Sequence, residues 1–210
     1  MAEITLRDIA HSYNPEAADK TYALNRFDMK WVDGGRYAIL GPSGCGKTTM
    51  LNIMSGIVRP SEGRLLFDGV DVTEHTTAER NIAQVFQFPV IYGTMTVQDN
   101  LAFPLVCRGY DKASIKAKVA EVSEALNLED LLTQSANKLT ADQKQLISLG
   151  RGLVRDNVAA VLMDEPLTVI DPDLKFRLRR KLKEINQKYR STLIYVTHDQ
   201  NEAMTFAENI

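Results

Sequence analysis

Gly41-Pro42-Ser43-Gly44-Cys45-Gly46-Lys47-Thr48 places three glycines, a lysine and a hydroxyl in the spacing G-x-x-x-x-G-K-[ST]. The chemistry open to such a loop is the holding of a triphosphate. Glycine lets successive backbone N–H groups converge on phosphate oxygens, and a helix N-terminus directly behind the loop adds further donors. Lys47 then reaches the β- and γ-phosphates, and the Thr48 hydroxyl ligates the Mg2+ that accompanies them. The apolar run Tyr37–Leu40 before the loop reads as a strand, and Lys47 to about Gly56, including Thr49, reads as a helix. A Gly-rich turn that binds nothing has no need of that order.

Triphosphate chemistry also requires a carboxylate for the metal and a group that handles water. Ala159-Ala160-Val161-Leu162-Met163-Asp164-Glu165 supplies both: a continuous apolar strand, buried on both faces as parallel strands are, that ends in two acids. Asp164 stands where it would hold the Mg2+ shell, and Glu165 where it would polarise the attacking water as general base. Alone, such a pair is often only a helix-entry cap; together with the phosphate loop it makes a catalytic set.

The elements that must position these groups follow from patterning. Ile4–Ile9 and Leu24–Val32 read as strands with one buried face, and Arg64–Phe67 and Ile82–Phe86 as further strand-like runs. From about residue 88 the texture changes. Val97–Arg108, Ala113–Leu126 and Ala141–Val154 carry apolar residues at helical spacing, with no convincing strand among them. Strand character returns at Ala159–Met163 and Thr192–Val196, on either side of a charged helix, Leu174–Tyr189. The expected fold is α/β: a phosphate-loop NTPase core (1–87 and 158–210) with a helical subdomain (88–157) inserted. Ala203–Ile210 reads as a helix running into another strand, so a fragment of a longer protein is expected.

Composition narrows the classes. The chain has 210 residues, 44% hydrophobic and 25% charged, which excludes disorder and fibrous repeats. Its net charge of −2 offers no global field for nucleic acid or an anionic membrane. No apolar run approaches the ~18–20 residues that span a bilayer, and the charged stretch Met1–Asp8 has no signal-peptide core. Cys45 and Cys107 make no disulfide framework and fit a reducing compartment. His11 and His75 fall in loop-like contexts and read as plain surface residues. No His/Cys cluster has ligand spacing, so Mg2+ with the nucleotide is the one metal expected.

Taken in order, these motifs resemble the nucleotide-binding subunit of an ATP-binding cassette (ABC) transporter along essentially the whole chain. The resemblance implies an Mg2+-dependent ATPase with an N-terminal antiparallel β subdomain. It implies an aromatic residue stacked on adenine; Tyr13 matches that position, with Tyr22 as a competitor and an ordinary β-surface tyrosine as the plain alternative. Gln87, in Val85-Phe86-Gln87, matches the glutamine that senses Mg2+ and the γ-phosphate and hinges the helical subdomain. His198, in Val196-Thr197-His198-Asp199, matches the histidine that contacts the γ-phosphate. The stretches Gly41–Thr49, Asp164-Glu165-Pro166-Leu167 and Val196–Met204 look like bacterial importers of sugars, polyols such as glycerol, and glycerol phosphates. Members of that group usually carry a further C-terminal regulatory domain, which is expected to lie outside this chain.

The departures from the pattern are specific. The family's signature loop, usually Leu-Ser-Gly-Gly-Gln, corresponds here to Leu139-Thr140-Ala141-Asp142-Gln143. Both glycines are gone, although in the family this loop closes on the partner subunit's γ-phosphate through backbone N–H groups that glycine lets approach. Asp142 would put a carboxylate there. Two like charges about 4 Å apart repel by roughly 4 kcal/mol at an effective dielectric of 20, which reduces a closure equilibrium roughly a thousandfold. Either Asp142 is turned away or neutralised, or the loop closes poorly. In Thr168-Val169-Ile170-Asp171, where the family tends to have Ser-x-Leu-Asp, only Asp171 is kept. A complete own half-site beside an impaired contribution to the partner favours a heterodimer with a second ATPase subunit over a homodimer.

What the resemblance further implies is ATP-driven closure and reopening of a two-subunit interface, with Glu165, His198 and Lys47 catalytic. Two membrane-spanning permease subunits are expected to dock near Phe88–Thr94, where Val90, Ile91 and Tyr92 form an apolar cluster, and a solute-binding protein to serve the assembled system. Local core packing is the competing account of that cluster. The expected location is peripheral, on the cytoplasmic face of a bacterial inner membrane. A non-transport ABC ATPase acting on nucleic acid or the ribosome is the alternative, but a coiled-coil arm, a second cassette and a basic surface are all missing from the sequence. An unrelated GTPase would need an Asn-Lys-x-Asp motif, and none is present.

Overall fold

The computed structural model describes residues 2–16, 20–155, 158–168 and 170–210. They form two compact units: Met1–Gln84 with Val158–Asp164 and Asn186–Ile210, and Val85–Asn157 with Glu165–Ile185.

The first unit is built on two four-stranded sheets. One is antiparallel, in the order β2-β1-β4-β5, from β1 (Ile4–His11), β2 (Leu24–Trp31), β4 (Glu62–Phe67) and β5 (Val70–Asp71). The other runs β3-β8-β7-β6, from β3 (Arg36–Leu40), β8 (Leu193–Thr197), β7 (Val161–Asp164) and β6 (Ala83–Val85), and is parallel through β3, β8 and β7. Every residue of β7 and β8 is buried, which is why these strands read as continuous apolar runs. Ile4, Leu6 and Ile9 of β1 share one core with Leu51, Ile53 and Met54 of α1 (Lys47–Ser55) and Leu162 and Ile194 of the parallel sheet.

Two expectations are corrected in this unit. β2 does not bury a face: only Leu24 and Trp31, its end residues, are buried, because it lies at the sheet edge. His11 is not a surface residue. It ends β1 only 6% exposed, with Nδ1 paired to the Ser61 hydroxyl at 3.2 Å and its ring edge-on to Tyr13 at 4.6 Å. Burial pushes its pKa below the ordinary histidine value. At the far end, α7 (Gln200–Phe206) leads into a short parallel pairing of Asn209 with Tyr37, as the sequence pattern suggests.

In the second unit α3 (Val97–Val106), α4 (Lys112–Leu126) and α5 (Ala141–Leu153) pack on one another. Gly150 of α5 permits the close approach: a Cβ there would lie 2.6 Å from Leu101 Cδ2 and 3.1 Å from Leu126 Cδ1. Each helix is started by a side chain: Thr96 and Thr140 in reciprocal capping boxes with Asp99 and Gln143, Asp111 by accepting from Ala113 and Ser114 N–H. The unit also takes in Glu165–Ile185, most of α6 (Pro172–Tyr189), which patterning assigns to the core. A hydrogen bond from Gln145 of α5 to the Pro166 carbonyl is one reason. Asn157, the expected subdomain boundary, and Val169 lie outside the described residues.

Candidate nucleotide-binding site

In the first unit the register of the parallel sheet brings three segments to one edge. Leu40 pairs with Thr197, and Asp164 with Val196. The loop after β3, His198 after β8 and Asp164 at the end of β7 therefore leave the sheet together, at the carboxyl ends where open α/β sheets hold ligands.

The loop from Gly41 to Gly46 turns tightly into α1. Gly46 caps that helix at φ +96°, and a Cβ there would sit 2.5 Å from the Ala23 carbonyl oxygen, so glycine is required on both counts. Lys47 is buried, and its Nζ donates to the carbonyls of Gly41 and Pro42, both at 2.8 Å, which holds the ammonium across the loop. Ser43, Gly44 and Cys45 are exposed on the same turn. Thr48 Oγ1 donates to Asp164 Oδ2 at 2.7 Å, and Asp164 itself is buried. A hydroxyl and a desolvated carboxylate side by side form the oxygen donor set a hard divalent cation takes, so these residues fit Mg2+.

Tyr13 and Tyr22 separate by surroundings. Tyr13 is 60% exposed, yet its hydroxyl lies 3.2 Å from Thr49 Oγ1, in the first turn of α1. The Tyr22 hydroxyl is committed to Glu62 at 2.6 Å, and Lys20 Nζ stands over its ring at 4.5 Å. A ring whose face carries a cation is a poor platform for a base, so the surroundings favour Tyr13.

His198 is exposed, on a turn held rigid from beneath. Tyr195 and Thr197 hydroxyls donate to buried Glu202 Oε2 at 2.8 and 3.1 Å, Asp199 N–H donates to Thr197 Oγ1 at 3.0 Å, and Asp199 caps α7. Patterning singles out neither Glu202 nor Tyr195; a buried acid five residues past a strand end, in the first turn of a helix, has no local signature.

The second unit carries Gln87, half-buried just past β6, and Glu165. Glu165 is held at φ +44°, a left-handed conformation that a glutamate rarely adopts and that costs of order 1–3 kcal/mol. Thr168 Oγ1 donates to the Glu165 carbonyl at 3.0 Å and stabilises that turn. Asp171 accepts from Asp173 N–H at 3.0 Å and starts α6. In the signature-like loop Thr140 caps α5, with Gln143 Oε1 accepting from Thr140 N–H at 3.0 Å. Asp142 Oδ1 accepts from the Thr140 hydroxyl in the first turn of α5, where the helix dipole favours an anion. Leu139 is buried and Ala141 exposed.

Fold and phosphate loop together define a P-loop α/β nucleotide-binding protein. Residues 24–168 match the ABC transporter family profile, and the chain belongs to that family. It is 39% identical over all 210 residues to the trehalose import ATP-binding protein SugC of Mycobacterium tuberculosis, covering 52% of that protein. It is 40% identical over its full length to the sn-glycerol-3-phosphate import ATP-binding protein UgpC of Cereibacter sphaeroides, covering 58% of it. The chain thus spans about half the length of the curated relatives it matches. The dimeric structure of MJ0796, a bacterial ABC transporter cassette, is similar at a TM-score of 0.87 and 27% identity, over 97% of this chain and 91% of that one. The same cassette is known in a post-hydrolysis state bound to ADP and Pi.

Glu62 gives this region a pH signature. The Tyr22 hydroxyl above all, then the hydrogen bond and charge of Lys20 and the charge of Arg26, hold its carboxyl at about 2, below its ordinary 4.5. Because the folded value is the lower one, the stabilisation is present above about pH 4.5 and is lost as pH falls toward 2. Glu62→Gln is expected to flatten the fall of the thermal midpoint in that window; an unchanged fall contradicts the assignment.

Proposed function

We propose that this chain is the ATP-binding and ATP-hydrolysing domain of an importer subunit that powers uptake of a carbohydrate, a polyol such as glycerol, or a glycerol phosphate. The observation that carries the reading is the Thr48–Asp164 hydrogen bond at the edge of the parallel sheet, beside a lysine held across a glycine loop. The solute class is supported by relatives named for trehalose and sn-glycerol-3-phosphate import.

Backbone N–H groups of residues 43–48 and the Lys47 ammonium hold the β- and γ-phosphates, and Tyr13 supports the adenine. Thr48 and Asp164 would hold Mg2+, with Gln87 added by the family resemblance, and the cation would neutralise charge on the phosphate oxygens. Glu165 aligns a water and accepts its proton as the water oxygen bonds to the γ-phosphorus and the bond to the ADP oxygen breaks. His198 holds the terminal phosphate in line for that displacement. Catalysis is then positioning and charge stabilisation, with little covalent chemistry asked of the protein.

The finer reading is a heterodimer in which a second ATPase subunit brings an intact signature loop to this chain's ATP. Its support is chemical. The donors that would face a partner's phosphate are already engaged, the Thr140 hydroxyl with Asp142 and the Gln143 N–H with Thr140 Oγ1, and Asp142 adds a negative charge. The subunit sits peripherally on the cytoplasmic face of the inner membrane. Two permease subunits dock on the Phe88–Thr94 segment, and a solute-binding protein serves them. Phe88 at 71% exposure and exposed Val90 support docking, whereas Tyr92 is tied down by Phe103 and Arg151 packed against its ring.

Two variants of the full-length subunit test this. Glu165→Gln is expected to bind Mg-ATP with unchanged Kd while kcat drops by about a hundredfold or more; near wild-type turnover contradicts the base assignment. Asp142→Gly is expected to raise ATP-dependent self-association and turnover of the isolated subunit by roughly tenfold or more. Cooperative hydrolysis at both sites of a wild-type homodimer counts against the heterodimer.

A further inference from the structure

Gln145 stands in the first half of α5, five residues after Thr140, and no accessible surface is left to it. Its Nε2 donates to two backbone carbonyls remote in sequence, Phe86 at 3.1 Å and Pro166 at 3.0 Å. Two carbonyl acceptors fix the amide orientation, because only the NH2 end can donate to both. The other end, Oε1, is buried without a hydrogen-bond partner. An amide retained at that cost is held for what its donor end does.

The two acceptors are informative by their neighbours. Phe86 precedes Gln87, and Pro166 follows Glu165. One side chain on the helix that begins with the signature-like loop thus grips the chain next to the γ-phosphate sensor and next to the general base. All of these residues lie in the second unit. Glu165 needs such support, since it sits in a left-handed conformation that relaxes unless its surroundings hold it.

We propose that Gln145 is a positioning residue that couples the start of α5 to the backbone carrying Gln87 and Glu165, so that engagement of the signature-like loop by a partner subunit resets the hydrolytic groups of this chain's own ATP site. This rests on the ATPase reading above and deepens it. Gln145 has no accessible surface from which to reach substrate or bulk water; it acts through the Phe86 and Pro166 carbonyls. ATP affinity is set largely by residues 41–48 and Tyr13, to which it does not bond, so loss of the amide acts on turnover and spares binding.

The test uses the full-length subunit assembled with its membrane subunits, comparing wild type, Gln145→Leu, which keeps the volume and removes both hydrogen bonds, and Gln145→Asn, which keeps the amide one methylene short. The expected result for Gln145→Leu is a Kd for Mg-ATP within about twofold of wild type and a kcat lower by roughly ten- to hundredfold, with Gln145→Asn between the two. In wild type, ATP is expected to raise amide-exchange protection together at 86–88, 140–143 and 165–168; in the Leu variant the first and third segments separate from the second. A folded Leu variant with wild-type kcat overturns the proposal, as does a parallel loss of Kd, kcat and thermal midpoint, which marks a purely structural role. If the Leu variant does not assemble, the same criteria are applied to Gln145→Asn, and an undiminished kcat there overturns it. Failure of wild type itself to hydrolyse ATP is a different outcome, which removes the ATPase reading.

Discussion

The 2.7 Å hydrogen bond from Thr48 to Asp164 is the point on which the nucleotide site depends. It exists only if a helix begins where a strand ends, and much of the first unit serves that condition. Val161, Leu162 and Met163 are buried, so β7 is a central strand with little freedom to slip, and its register with β8 sets where Asp164 emerges. The N-terminus of α1 is set by Gly46 in a conformation other residues resist. The opposite end is held by Arg80, whose guanidinium donates to the Ile53 and Met54 carbonyls at the end of α1 and to the Thr73 and His75 carbonyls beyond it. Burying a cation whose hydrogen bonds go to carbonyls is costly, and the nearby charge of Glu74 offsets part of that cost. Here the guanidinium satisfies the orphan acceptors at the end of a short helix and adds a favourable charge at the dipole's negative pole.

A second constraint concerns negative charge. The phosphate loop gathers N–H groups and a lysine, and Asp164 joins them only beside the Thr48 hydroxyl. The signature-like loop does the opposite: it seats Asp142 at the N-terminus of α5 and lets Thr140 bond it. An internal anion there stabilises the helix start, and it opposes a phosphate approaching the same spot. Under the proposed reading, stability of α5 and service to a partner's nucleotide pull in opposite directions at this one position.

Much of this was legible from residue order. The glycine loop, the acid closing an apolar strand and the helical texture from residue 97 are local signals, and a turn into α1, the end of β7 and the helices α3 to α5 lie at those positions. The missed features are non-local. His11 looks like a loop histidine because nothing nearby predicts that Ser61, fifty residues on, closes over it. β2 alternates in composition yet lies at an edge, which only pairing order reveals. Gln145 reads as one more polar residue on a helix, since its partners lie 59 and 21 residues away. Glu165–Ile185 follows a core strand and so reads as core, although its contacts belong with the helices. The unusual backbone of Glu165 has no signature either, for glutamate does not advertise a positive φ.

The central claim is that Thr48 and Asp164 form half of a cation site completed by a bound triphosphate. Calorimetric titration of the full-length subunit with ATP, in the presence of Mg2+ and again in chelator, tests it most directly when wild type is set beside Thr48→Val. The account predicts saturable binding in wild type that is strengthened by Mg2+, and residual binding in the variant that Mg2+ no longer strengthens. Equal Mg2+ enhancement in both proteins, or no ATP binding by wild type, would contradict it.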